Sequence, residues 1–170
     1  MSRILVVPGL RNSGPTHWQS WIENLLPNTH RVEQQDWTKT CLSDWAANVR
    51  ASIDAADDKV WIIAHSFGCL ATVTAGFVRP ERIRGALLVA PADPARFNVP
   101  SALLEESLAF PSLVVASTND PWVKASVAEK WAGKWGSRFL DIGAAGHINV
   151  ESGHGPWPLG LELFEQLRNY

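Results

Sequence analysis

The sequence predicts a three-layer α/β fold, in which a mostly parallel sheet of about six strands carries helices on both faces. Short apolar runs alternate along the chain with longer stretches of helical periodicity, which is the pattern of successive strand–helix units. The most apolar runs are nearly uninterrupted, as in strands that are buried on both faces. The 170 residues fit one domain, which we place over residues 1–170.

The predicted strands are short, and most of them are apolar. The run Val60 to Ala64 is typical of a strand buried on both faces, whereas Arg31 to Trp37 is polar and is expected near an edge of the sheet. In order, the predicted strands are Ile4 to Val7, Arg31 to Trp37, Val60 to Ala64, Ile83 to Ala90, Leu113 to Ala116 and Arg138 to Ile142.

The predicted helices have apolar residues at intervals of three or four positions. Thr16 can cap the first helix and Gln19 lies three residues on, which is the capping-box pattern. Ser43 can cap the second. The helices are expected over Thr16 to Leu26, from Ser43 through Trp45, Val49 and Ile53, and over Gly68 to Val78, Val123 to Trp135 and Leu159 to Arg168.

The composition argues against several classes of protein. The net charge of −2 offers no basic field for nucleic acid or an anionic membrane, and no stretch approaches the ~20 apolar residues of a membrane span. Ile4 to Val7 is too short for a signal peptide, and the two cysteines, Cys41 and Cys69, lack metal or redox spacing. We therefore expect a cytoplasmic protein with no metal, no cofactor, no nucleic-acid partner and no membrane contact.

The turn after the third predicted strand carries a candidate nucleophile. Ala64-His65-Ser66-Phe67-Gly68 matches the pattern Gly-x-Ser-x-Gly of a nucleophile elbow, with alanine in place of the first glycine. Such a turn exposes the serine hydroxyl and aims the N–H of Phe67 at the point where negative charge would develop. The alternative is an ordinary turn in which Ser66 caps the helix.

A serine nucleophile needs a base, and the base needs an acid that orients it. Asp120 and His147 each follow a later predicted strand, so the chain order is Ser, Asp, His, as such elbows require. Asp93 is the rival acid and His154 is the rival base. His65 adjoins the nucleophile but is expected to point away from its hydroxyl.

The loop after the first strand can complete an oxyanion hole. There the N–H of Leu10 would join that of Phe67, and Arg11 and Asn12 could contact substrate, although a solvated loop explains these two side chains equally well.

Nine tryptophans are an unusual number, and most are expected in the core. Trp122 and Trp157 follow Asp120 and His147 respectively and could line a pocket, with structural packing as the equal alternative. About twenty residues separate Ala90 from Leu113, which leaves no room for a large lid and favours an open site for small acyl groups.

Four motifs spread over nearly the whole chain resemble those of a known family. They are Val7-Pro8-Gly9, Thr16-His17-Trp18, Ala64-His65-Ser66-Phe67-Gly68 and Gly146-His147-Ile148-Asn149. The resemblance is to the small serine hydrolases typified by retinoblastoma-binding protein nine, the YdeN-like group. It implies an α/β-hydrolase fold without a large lid, a Ser66, Asp120, His147 triad and hydrolysis of small ester or amide substrates.

The retinoblastoma-protein partner does not carry over, because the Leu-x-Cys-x-Glu motif is absent and the chain reads Phe67-Gly68-Cys69-Leu70-Ala71 around Cys69.

We expect a serine hydrolase that cleaves small esters or amides through an acyl-enzyme. An amidase, peptidase or acyltransferase on the same triad stays open, as does a non-catalytic binding protein that kept the fold. A flavodoxin-like module would need a phosphate-binding loop, which residues 8–14 do not provide. The oligomeric state is not predicted.

Overall fold

The computed structural model describes residues 1–170 and contains one six-stranded sheet. Every neighbouring pair of strands is parallel, so the predicted fold class is confirmed. The strands are β1 (Ile4–Val7), β2 (Thr29–Arg31), β3 (Val60–His65), β4 (Ile83–Val89), β5 (Ser112–Ala116) and β6 (Arg138–Asp141), and their order across the sheet is β2-β1-β3-β4-β5-β6.

Five helices cover the two faces of the sheet. The first and last pack on one face with a core that includes Trp18 and Phe164, and the other three pack on the opposite face with a core that includes Trp45, Leu70 and Trp135. The sheet is therefore the middle of three layers. The helices are α1 (Trp18–Leu25), α2 (Leu42–Asp54), α3 (Phe67–Val78), α4 (Ala125–Trp135) and α5 (Pro158–Arg168).

The apolar run of β3 follows from this layering. Ile62 and Ala64 belong to the core under α2, α3 and α4, whereas Ile63 belongs to the core under α1 and α5. Successive side chains of a strand point to opposite faces, so a strand with helices on both sides needs apolar residues at every position.

The start of α1 differs from the prediction. The helix begins at Trp18, and its cap is His17, whose Nδ1 accepts a hydrogen bond from the Gln19 N–H at 3.1 Å. No capping box forms, because the Gln19 amide is buried and donates to the carbonyls of Val7 and Ile63 at 3.3 and 3.2 Å.

The second strand and the second helix also differ. β2 spans Thr29–Arg31 instead of residues 31–37, and it does lie at the edge of the sheet. The chain then leaves the sheet, and the Trp37 carbonyl accepts from the Arg11 N–H at 2.9 Å beside the loop that follows β1. α2 begins at Leu42 with Cys41 in the cap position, two residues earlier than the predicted Ser43 cap.

The connection from β4 to β5 contains only two short 3₁₀ helices, Pro94–Phe97 and Ser101–Leu103. From β1 the chain moves outward to β2, and from β3 it moves the other way across the sheet. The carboxyl ends of β1 and β3 therefore flank the crevice where parallel sheets bind ligands. No helix has the length and apolar character that crossing a membrane requires.

Candidate active site

Ser66 occupies a strained turn at the carboxyl end of β3. Its backbone has φ 53° and ψ −122°, a conformation that non-glycine residues rarely adopt and that costs of order 1–3 kcal/mol. The hydroxyl makes no capping hydrogen bond to α3, so Ser66 is not an ordinary helix cap. The turn instead directs the side chain towards His147.

Close packing explains the small residues of the turn. A Cβ on Gly68 would lie 2.5 Å from the Pro8 carbonyl oxygen and closer still to that of Val7. A Cβ on Gly9 would lie 2.9 Å from the Cβ of Ser66. The loop after β1 thus rests directly on the Ser66 turn, and a larger residue at either glycine would separate them.

Three of the predicted site residues form a continuous chain of hydrogen bonds. Ser66 Oγ lies 3.0 Å from His147 Nε2, and His147 Nδ1 lies 2.8 Å from Asp120 Oδ2. A carboxylate can only accept, so the proton of the neutral imidazole is on Nδ1 and Nε2 is free to accept from the Ser66 hydroxyl. The Asp120 side chain is only 1% exposed, which shields this pair from water.

The rival acid and base lie elsewhere. Asp93 caps the 3₁₀ helix that follows it, accepting from the Ala95 N–H at 3.1 Å. His154 Nδ1 lies 2.9 Å from Ser152 Oγ, and its ring packs against Trp157. Neither hydrogen-bonds to Ser66 or His147.

Several contacts hold the loop that carries His147. The N–H groups of Ala145 and Gly146 donate to Ser117 Oγ at 2.9 Å and Asn119 Oδ1 at 2.7 Å, both in the loop after β5. On the other side, Trp18 Nε1–H donates to the Ile148 carbonyl at 2.8 Å.

Two buried histidines beside Ser66 and His147 were not predicted as site residues. His65 makes no hydrogen bond to the Ser66 hydroxyl, and its Nε2 lies 2.9 Å from the His147 carbonyl oxygen. The ring of His17 lies 5.0 Å from that of His65. Burial, reinforced by the Arg31 charge, lowers the pKa of His17 to about 4, and burial also lowers the pKa of His65 well below its usual value. The only sequence signal for His17 and His65 was that each is a polar residue within one of the motifs described above.

The backbone donors predicted for the oxyanion hole have no partner within the protein. Neither the Leu10 N–H nor the Phe67 N–H donates a hydrogen bond, and Phe67 is the first residue of α3, where the helix leaves its N–H groups free. Gly9, which precedes Leu10, packs against the Ser66 turn, where a Cβ on Gly9 would lie 3.4 Å from the Phe67 nitrogen.

Arg31 anchors the loop that carries Leu10. Its Nη1 donates to Asn12 Oδ1 at 2.9 Å and to the Ser13 carbonyl at 2.5 Å, while Glu23 accepts two hydrogen bonds from the same guanidinium. The predicted substrate contact Asn12 thus has its amide oxygen engaged in holding the loop. Arg11, by contrast, makes no side-chain hydrogen bond and is exposed.

A cavity of about 1070 Å³ lies over Ser66, and only 5 of its 21 lining residues are hydrophobic. Leu10, Arg11, Asn12 and Trp122 all line it, and Trp122 is 57% exposed at its rim. Trp157 does not line it. That side chain is 5% exposed and packs on Trp18 in the core between the sheet and α1 and α5, which is the packing alternative.

No group of three or more His, Cys, Asp or Glu side chains is arranged to hold a metal ion. What the site offers is a hydroxyl, an imidazole and a carboxylate in series beside two free backbone donors. This set matches the requirements of nucleophilic acyl transfer.

Comparisons with known proteins bear on this chemistry. A sequence model of the serine hydrolase family matches residues 4–166. A search of curated protein sequences finds no match. Among solved structures, a Pectobacterium atrosepticum protein described as a YdeN-like hydrolase is similar with 39% identity and a TM-score of 0.91, over 98% of this chain and 92% of that one.

More distant structures share the fold. The ydeN gene product of B. subtilis is 17% identical with a TM-score of 0.82, over 100% of both chains. Est1E of Butyrivibrio proteoclasticus, solved with ferulic acid bound, is 12% identical with a TM-score of 0.79, over 99% of this chain and 89% of that one. The chain therefore belongs to the serine hydrolase family and is an α/β-hydrolase enzyme, similar over almost its whole length to a YdeN-like hydrolase.

Proposed function

We propose that the protein hydrolyses small carboxylic esters through an acyl-enzyme, with Ser66 as nucleophile, His147 as general base and Asp120 as the acid that orients it. The observation that carries the proposal is the unbroken series of hydrogen bonds from Asp120 through His147 to Ser66, at 2.8 and 3.0 Å. This is the arrangement by which a weakly nucleophilic serine is activated.

In the first step, Ser66 Oγ attacks the ester carbonyl carbon while its proton passes to His147 Nε2. The electron pair of the C=O π bond moves to the oxygen and produces a tetrahedral oxyanion. The Asp120 carboxylate stabilises the imidazolium that forms, and it does not itself take the proton. The N–H groups of Leu10 and Phe67 would donate to the oxyanion, and losing one such donor typically costs ~10²–10³ in rate.

In the second step, the intermediate collapses. The bond to the leaving oxygen breaks, His147 Nε2 donates its proton to that oxygen, and the alcohol departs from an acyl-Ser66 ester. Water then attacks the acyl carbon with His147 again accepting the proton, and Ser66 leaves with that proton as the carboxylic acid forms.

The cavity supports small substrates with polar character. Most of its lining is polar, and the apolar exceptions include three large exposed side chains, Leu10, Trp122 and Val150. We infer that a short acyl or alcohol group contacts these side chains and that the exposed Arg11 meets substrate at the rim. The free thiols of Cys41 and Cys69 favour the cytoplasmic location expected from the sequence, since reduced cysteines are typical of that compartment.

The test is Ser66→Ala, assayed on p-nitrophenyl acetate and with a fluorophosphonate probe. We expect ester turnover to fall by ~10⁴ or more and labelling to disappear, with an unchanged circular dichroism spectrum. Ser101→Ala, at an exposed serine outside the cavity, is the matched control and should keep both activities. Undiminished turnover in Ser66→Ala, or probe attached to another residue, would contradict the proposal.

A further inference from the structure

We infer that His65 is a positioning residue for catalysis, whose side chain ties the backbone of the base His147 to the strand that carries the nucleophile Ser66. The inference rests on the proposed function for the roles of Ser66 and His147. It assigns a task to a residue of the elbow motif that the triad itself does not use.

Two consecutive residues hold His147 at two points. The Ser66 hydroxyl meets the imidazole of His147 at 3.0 Å, and the His65 Nε2 meets the carbonyl oxygen of the same residue at 2.9 Å. The two contacts close a small ring of covalent and hydrogen bonds that joins the end of β3 to the base. Such a ring restricts the movement of the base relative to the nucleophile, because a large displacement would break one of the two contacts.

No other contact ties the loop that carries His147 to β3. The loop is also held by Ser117, Thr118 and Asn119 after β5 and by Trp18 on α1. The His147 carbonyl has no other donor. The next residue, Ile148, has a φ of 50°, which a β-branched residue rarely adopts, so contacts with the rest of the fold must hold this backbone.

The surroundings of His65 keep it suited to this role. A carbonyl only accepts, so Nε2 must carry the proton of the neutral imidazole. The side chain is 5% exposed, and the rings of His17, Trp18 and His147 lie 5.0, 5.9 and 4.9 Å from its ring. Burial first, then the neighbouring His147, His17 and His154, hold the pKa of His65 well below its usual value, so it stays an uncharged donor.

The inference predicts which kinetic step His65 affects. Loss of the donor would leave the His147 carbonyl unpaired in a partly buried place, and we expect the backbone to shift towards another partner. A misplacement of about 1 Å at a reacting group can cost 10²-fold in rate. We expect the effect mainly in kcat, because His147 transfers the protons and the His65 ring, although it lines the cavity, is hydrogen-bonded to the His147 carbonyl.

The experiment compares His65→Asn, His65→Gln and His65→Phe on p-nitrophenyl acetate. The Gln amide reaches about as far as the His Nε2, the Asn amide is one methylene too short, and Phe keeps the ring without a donor. We expect kcat to fall by about 10- to 100-fold in the Asn and Phe variants with KM changed less than about threefold, and Gln to recover most of the loss. His30→Phe, at an exposed histidine on β2, is the control.

A second measurement distinguishes failure of this inference from failure of the proposed ester substrate class. The rate of fluorophosphonate labelling requires an activated Ser66 but not ester turnover. If the wild type is labelled and cleaves no ester, the proposed substrate class fails, and the labelling rates of the variants still test His65. Three results would each overturn the inference. The first is that His65→Asn and His65→Phe keep the kcat and labelling rate of the wild type. The others are an effect on KM alone, or a His65→Gln variant as slow as His65→Phe. If the Phe variant does not fold, the comparison of the Asn and Gln variants tests the inference by itself, because these two side chains differ only in reach.

Discussion

Asp120 uses both carboxylate oxygens. One accepts from His147 Nδ1 at 2.8 Å, while the other accepts from the Trp122 N–H at 2.9 Å and from the Val123 N–H at 3.4 Å. The backbone donors hold the carboxylate at the edge of its loop, so that it reaches the imidazole with the correct geometry. At the scale of a residue, orientation of His147 depends on a group that can only accept.

We therefore expect Asp120→Asn to lower kcat by about 10³–10⁴, because the Asn amide can donate to Nδ1 and favours the wrong tautomer of His147. Its oxygen can still accept from the two backbone donors, so the fold should be kept. Steady-state kinetics on p-nitrophenyl acetate measure the effect. Asp93→Asn removes the rival acid and should keep most of the activity, and the reverse ranking would show that Asp93 is the acid.

At the scale of an element, the backbones of β1, β3 and α3 are closely packed where they meet. The backbone carbonyls of Val7 and Pro8 lie where the side chain of any residue other than glycine at position 68 would begin. This contact fixes the start of α3, and with it the Phe67 N–H, relative to the loop that carries Leu10. Gly133, within α4, meets nothing within 4 Å of the corresponding position.

Two glycine-to-alanine changes in helices should therefore have opposite effects on stability. We expect Gly68→Ala to lower the free energy of unfolding by about 1–3 kcal/mol, since backbone must move to admit the methyl group. Gly133→Ala should raise it by about 0.5–1 kcal/mol, because alanine loses less conformational entropy in a helix. Urea unfolding of both variants measures the difference, and equal midpoints would contradict the close packing.

At the scale of the whole molecule, burial of neutral histidines makes stability depend on pH. The pKa of His17 falls from 6.5 to about 4 on folding, through burial first and then the charge of Arg31, with His147 and His154 acting in the same direction. Between these values the unfolded chain binds a proton that the folded protein does not. The contribution of neutral His17 to the free energy of unfolding is therefore fully present above about pH 6.5 and is lost as the pH falls towards 4. This contribution amounts to about 3 kcal/mol.

His17→Asn should flatten this dependence, because the Asn oxygen can still cap α1 and does not titrate. We expect the loss of unfolding free energy between pH 7.5 and 4.5 to shrink by about 2 kcal/mol in urea titrations. His30→Asn removes an exposed histidine as the control, and its pH dependence should match that of the wild type. If the unfolding free energy of His17→Asn depended on pH in the same way as that of the wild type, the conclusion that His17 is buried and neutral would be wrong.

The sequence by itself determined the sheet, its helices and the order in which Ser66, Asp120 and His147 follow the strands. These depend on periodicity and strand ends, which are local, and parallel strands bring their carboxyl ends to one edge. The tertiary structure decided which side chains meet there. His65 contacts a residue 82 positions away, and Trp157 packs in the core while Trp122 borders the cavity. Such choices depend on which distant groups fill the space around a side chain, and no local pattern encodes that.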